Sequence, residues 1–208
     1  MKNEIKYLAA ICLMLLFMGC NNSSKFEGNF NGDTLKAVQI TEKSLPRGTK
    51  IEDCKVVKGK LPLALMETEY KSVRDKVNKA RLDYRSCVTR GLNAAAQKNV
   101  ETLVEIQNLI RDKSEALEST SPEYLFVLAK VKERSAKKDG NYGYIAVFDS
   151  NTLEKVDLMQ VTTPLFNNAV MVTEALDSTL SDPTSNVAVT SLKSKNPIVE
   201  FIMSCNPK

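Results

Sequence analysis

The 208-residue chain contains no histidine. Serine and cysteine nucleophiles of the usual kind take their activation from an imidazole, and many catalytic zinc sites are built on imidazole nitrogens. Those chemistries are excluded, which leaves carboxylate pairs, serine–lysine pairs and thiols as the routes open to an enzyme. Cys-x-x-Cys, Walker-type and G-x-G-x-x-G signatures are missing as well. Excess charge of one sign is also lacking. With 29 basic and 25 acidic residues, the balance is too even to argue for a nucleic-acid partner. No internal repeat, no low-complexity tract and no long apolar run occurs beyond the first twenty residues.

What the chain does have is concentrated at that N-terminus. Lys2 and Lys6 precede an apolar run over residues 7–18 that ends at Gly19 and Cys20. This is the charged, apolar and small-residue order of an export signal. The run is too short for a transmembrane helix, which needs about 20 apolar residues. Phe17-Met18-Gly19-Cys20 resembles the lipobox of bacterial lipoproteins, with Phe17 where Leu is usual and Met18 where a smaller residue is usual. The resemblance implies removal of residues 1–19, palmitate and related acyl chains on Cys20, and effectively permanent attachment, since two chains already suffice for stable anchoring. An ordinary secreted protein with a chance cysteine and an uncleaved signal anchor are the alternatives.

Asn21 stands where an inner-membrane retention aspartate is found in the enterobacterial members, which implies the outer membrane. The loose lipobox and lysine-rich composition look like those of Bacteroidetes lipoproteins, whose surface-export tag is an acidic cluster. None follows Cys20, so the resemblance implies a protein facing the periplasm.

Cleavage leaves 27 basic and 24 acidic residues. Residues 20–33 are polar and rich in Gly and Asn, and they read as a tether. Residues 34–208 are long enough for one domain with a real core. Cys54, Cys87 and Cys205 accompany Cys20 in the mature chain. Three thiols cannot all pair, and Cys87 falls on an apolar helix face. Any disulfide therefore joins Cys54 to Cys205, and three free thiols are the alternative.

Residues 35–40 and 55–57 read as short strands. Tyr70, Val73, Val77, Ala80, Tyr84 and Cys87 recur at helical spacing and predict a helix over residues 67–90. A second stripe runs from Val100 to Leu117, with Gly91-Leu92-Asn93 as the break between the two, although Ala94-Ala95-Ala96 could equally carry one helix through. Residues 67–90 hold seven basic and four acidic side chains, and residues 98–118 hold three and five. Those opposite balances favour an antiparallel hairpin. Strands are expected at 124–134, 144–148 and 153–161, joined by turns at Asp139-Gly140 and Asp149-Ser150-Asn151. A helix opening at Ser121 is the competitor for the first. Thr163-Pro164 opens a further helix, and strands at 187–189 and 198–203 close the chain. The fold class expected is α+β, a helical hairpin and a later helix on a small antiparallel meander, loosely like cystatin or NTF2 scaffolds.

Few residues offer chemistry. Ser135-Ala136-Lys137-Lys138 resembles the S-x-x-K element of penicillin-recognising enzymes, but the companion triplets are missing. Glu101 and Glu105 lie one helical turn apart and are better explained as solvated surface than as catalytic acids. Lys130, Lys132 and Arg134 project to one side of a strand. Lys137 and Lys138 extend the charge into the next turn, with Tyr142 and Tyr144 near enough to add aromatic contacts. That strip suits anionic groups of lipid, cell-wall polymer or an acidic protein, and an ordinary solvated or edge-guarding face is its alternative. No metal or cofactor is expected. The sequence therefore points to a non-enzymatic, lipid-anchored envelope protein that binds or scaffolds a protein or cell-wall component. A small-ligand carrier, or an envelope hydrolase using carboxylates or a Ser–Lys pair, is the alternative.

Overall fold

A computed structural model describes residues 26, 29–133, 142–176 and 196–207. The chain is α+β. Helix α1 (Gly32–Ser44) leads into strand β1 (Thr49–Gly59) and a single 3₁₀ turn (Leu63–Leu65). Two long helices follow, α2 (Glu67–Thr89) and α3 (Asn93–Thr120), then strands β2 (Tyr124–Glu133), β3 (Tyr142–Asp149) and β4 (Lys155–Gln160). Helices α4 (Thr163–Leu176) and α5 (Pro197–Ser204) complete the described elements.

The four strands form one antiparallel sheet in the order β1-β2-β3-β4, with a register shift between Ile51 and Asp53. Residues 142–148 of β3 are all buried, odd and even positions alike. A sheet wet on one face would alternate, so β3 must be covered on both. Phe126, Leu128, Ile145 and Val147 face the main core built with α2, α3, α4 and α5. Leu125, Val127, Ala129, Val131, Tyr142, Tyr144, Ala146 and Phe148 face a second core under α1.

That second layer corrects two expectations. Residues 35–40 belong to helix α1 rather than a strand. Their β-branched residues favour extension locally, yet Ala37, Val38 and Thr41 fall on one helical face and bury it. The Thr41 hydroxyl donates to the Ala37 carbonyl at 2.8 Å, which satisfies a polar group with no exposure. The tether also ends earlier than residue 33. Phe26 is 4 % exposed and sits in the core under α1 with Phe30 beside it, while Asn29 and Phe30 turn back onto the Phe26 carbonyl. Two phenyl rings in a polar stretch were enough to dock it.

The helical hairpin matches the periodicity closely. Tyr70, Val73, Val77 and Ala80 are the buried face of α2, and Ala96, Leu103, Ile106 and Ile110 that of α3. The chain does break between them. Gly91, at φ +69°, closes α2. Its amide donates to the Val88 carbonyl at 3.0 Å and the Leu92 amide to the Cys87 carbonyl at 2.9 Å, the paired bonds of a Schellman stop.

The last element is a further correction. Residues 198–203 are helical because Asn196 and Pro197 start a helix: the Asn196 side-chain oxygen accepts from the Ile198 amide at 2.9 Å and Pro197 occupies the first turn. Ile198, Val199, Phe201 and Ile202 then point into the main core. The expected strand at 187–189 lies outside the described residues.

Candidate functional site

The described part of the basic strip lies at the end of β2. Lys130 is half-buried and Lys132 exposed, both on the sheet face shared with the main core. Lys50 stands opposite Lys132, and Asp53 opposite Lys130. Lys132 Nζ lies 3.9 Å from Glu52 Oε1, both exposed. Two carboxylates thus interleave with three cations, and the field at this corner is weaker than the lysine spacing alone implies. An exposed pair at such a separation contributes at most a few tenths of a kcal/mol, on the order of 0.2–0.5. Arg134, Lys137 and Lys138 lie outside the described residues, as does Ser135.

Tyr142 and Tyr144 do not join the strip. Tyr142 pairs with Val131 and Tyr144 with Ala129, and directly opposed residues share a face. Both rings are therefore buried under α1, on the side of the sheet away from Lys130. The expectation of aromatic contacts failed because it counted distance along the hairpin and not the alternation across it. Opposite Lys130 stands Gly143, and it seats α5: a β-carbon there would fall 2.5 Å from Cys205 Sγ and 2.8 Å from Phe201 Cζ.

Glu101 and Glu105 are exposed, while Leu103 and Ile106 between them turn inward. They form a solvated helix face. Among the described residues no group of three or more Cys, Asp or Glu is placed to hold a metal ion.

The three thiols are free. Cys54 packs under α1 in the second core, and Cys205 lies in the main core on the opposite side of the sheet. The Cys54–Cys205 pairing, named as the bridge if any formed, is thereby corrected in favour of the free thiols, because two thiols with a sheet between them cannot reach the Cβ separation of about 4 Å that a bridge requires. Burial pushes the Cys54 thiol up to about 12, with Asp53 and Glu42 adding to it. Burial also raises Cys205 to about 11, against the opposing charge of Lys130 and a hydrogen bond from Ser204. Thiols held this far above neutrality are poor nucleophiles.

Two charged features escaped the sequence reading. The first crosses from hairpin to core: Arg81 Nη2 meets Glu174 Oε2 at 2.6 Å, with side chains 30 % and 19 % exposed. It ties α2 to α4 beside Tyr70, whose hydroxyl is held in its neutral form chiefly by burial. The second is the tip of the hairpin. Arg85, Arg90 and Lys98 are exposed there, and not one Asp or Glu occurs between Asp83 and Glu101. Val88 and Leu92 are 45 % and 50 % exposed at the same tip. The gap in acidic residues was visible in the sequence, but whole-helix charge counts averaged it away.

Among the described residues no helix is long and apolar enough to cross a membrane. No family model, no curated protein and no solved structure matches the chain.

Proposed function

We propose that this chain is a lipid-anchored envelope protein that binds or scaffolds a protein or cell-wall component without catalysing a reaction. The carrying observation is the lysine-flanked apolar run that ends in Phe17-Met18-Gly19-Cys20. Residues 1–25 lie outside the described part of the structure, so the anchor rests on sequence. Support from the fold comes from where the body begins: Phe26, six residues after Cys20, is already packed in a core. Six extended residues reach about 20 Å, so a lipid on Cys20 holds the domain against the headgroups. Partners are then other components of the envelope, reached from the periplasmic side of the outer membrane, with no nucleic acid among them.

The anchor is tested by feeding a palmitate label to cells making the chain and reading the N-terminal mass of the purified protein. An acylated Cys20 N-terminus that disappears in Cys20→Ser is expected. An unlabelled chain, or one cut elsewhere, sinks the reading. For the partner, the protein is crosslinked in its native envelope, with and without replacement of Lys130, Lys132 and Arg134 by Ser. Loss of a specific adduct assigns the strip, whereas unchanged adducts move the contact elsewhere.

A further inference from the structure

We infer that the tip of the α2–α3 hairpin is a second membrane contact, docking on an anionic lipid surface by a route that does not use Cys20. Ala80 is the last residue of α2 in the main core and Leu103 the first of α3. From Ala80 to Thr89 the helix rises about 13 Å, and α3 climbs back over a similar distance. The outer hairpin is therefore a finger beyond the core. Ala96, buried against α2, and the Asn99 amide, 3.7 Å from Cys87 Sγ, hold its two arms together.

What the finger presents is chemically one-sided. Val88, Leu92, Ala94 and Ala95 are exposed, and so are Arg85, Arg90 and Lys98 on the same two arms and their turn. The paired bonds from the Gly91 and Leu92 amides fix the turn, so the half-exposed Leu92 side chain is offered on a rigid support. Aliphatic groups and cations together at one tip, with no Asp or Glu between Asp83 and Glu101, match phosphate headgroups over an acyl layer. A protein partner fits less well. Two aliphatic side chains and two alanines on a narrow tip fall far short of the roughly 800 Å² per partner that a stable protein interface buries. The choice of a membrane as occupant leans on the envelope reading, but the contact itself needs no lipid on the protein.

The chain has no tryptophan, so Leu92→Trp places a single, selectively excited tryptophan at the tip. The mature chain, from residue 20 onward with Cys20→Ser, is mixed with vesicles of phosphatidylglycerol and phosphatidylcholine or of phosphatidylcholine alone. The expected result is a blue shift of emission and quenching by brominated acyl chains on the anionic vesicles, reduced by salt and absent on the neutral ones. Replacing Arg85, Arg90 and Lys98 by Ser should weaken vesicle affinity about a hundredfold, near fivefold per cation. Circular dichroism establishes that each variant is folded. An unshifted emission on anionic vesicles overturns the proposal, whether the protein fails to bind or binds by another face. So does undiminished binding by the triple variant, or a tip that crosslinks only to an acidic protein. Because Cys20 is already Ser in this assay, its failure is distinct from failure of the anchor.

Discussion

Replacing Gly143 by alanine puts a methyl carbon 2.5 Å from Cys205 Sγ, 2.8 Å from Phe201 Cζ and 3.0 Å from Phe201 Cε1. Gly143 lies outside the left-handed region, so its backbone would accept alanine, and stiffening the unfolded chain by itself would stabilise by about 0.4–1 kcal/mol. Against this stands overpacking of a filled core, which costs about 1–3 kcal/mol. The contacts decide which wins. Phe201 sits on α5 and Cys205 follows its last residue, and the main core closes over the helix through Ile198 and Ile202, which are 2 % and 0 % exposed, so the helix has little room to retreat. A net loss of about 1–2 kcal/mol is expected, and at about 2–4 °C per kcal/mol for a domain of this size the melting temperature falls by several degrees. Urea titration of the mature chain, followed by circular dichroism, measures it. The mechanism is isolated by repeating the substitution in Cys205→Ala, where the closest obstruction is gone. There Gly143→Ala should cost at least about 0.5 kcal/mol less, the scale of coupling between touching residues. A Gly143→Ala protein as stable as the parent, or costs that simply add, would refute the argument that Gly143 exists to seat α5.

Other outcomes follow from the same packing. Glu174→Ala strands Arg81 beside Tyr70 and should lower stability by about 1–2 kcal/mol. Most of that should be absent in an Arg81→Ala background, as a double-mutant cycle in urea would reveal. Asp149 accepts amide hydrogen bonds from Asn151 and Thr152 at 2.9 and 2.8 Å, and these hold its carboxyl below the ordinary value of 3.8. The stabilisation is therefore complete above that value and lost as pH falls through the lower folded one. Titrating the Asp149 carboxyl carbon by NMR should show the depressed midpoint, and a midpoint at or above 3.8 would contradict the turn geometry. With thiols near 12 and 11, Cys54 and Cys205 should alkylate orders of magnitude more slowly than a free thiol at pH 8. Peptide mapping without reductant should recover them unpaired, and a Cys54–Cys205 peptide would contradict the placement of the two cores.

Features whose cause is local were legible in the sequence. The apolar stripe Tyr70-Val73-Val77-Ala80 and the stop at Gly91 appear in the structure where the spacing put them. So do three consecutive strands, the last two joined by the turn at Asp149-Ser150-Asn151. Elements dictated from a distance were misread. Residues 35–40 look extended by composition, and only the need to cover the second face of the sheet makes them helical. Residues 198–203 are an apolar run that length and composition cannot tell from a strand, and a two-residue cap decided the matter. The candidate site suffered in the same way, since Tyr142 and Lys130 are near neighbours across a hairpin yet occupy opposite faces.

By itself the sequence determined the absence of imidazole chemistry and the helical hairpin, because each depends on residue identity or on spacing within one segment, and the proposed export signal rests on the sequence in the same way. Only the tertiary structure decided that the sheet is covered on both sides, that Cys54 and Cys205 are kept apart by it, and that Glu52 and Asp53 temper the lysine strip. It also decided that the acid-free stretch between Asp83 and Glu101 becomes a projecting tip. Those outcomes turn on which surfaces compete to bury one another, and burial is settled by the whole chain at once.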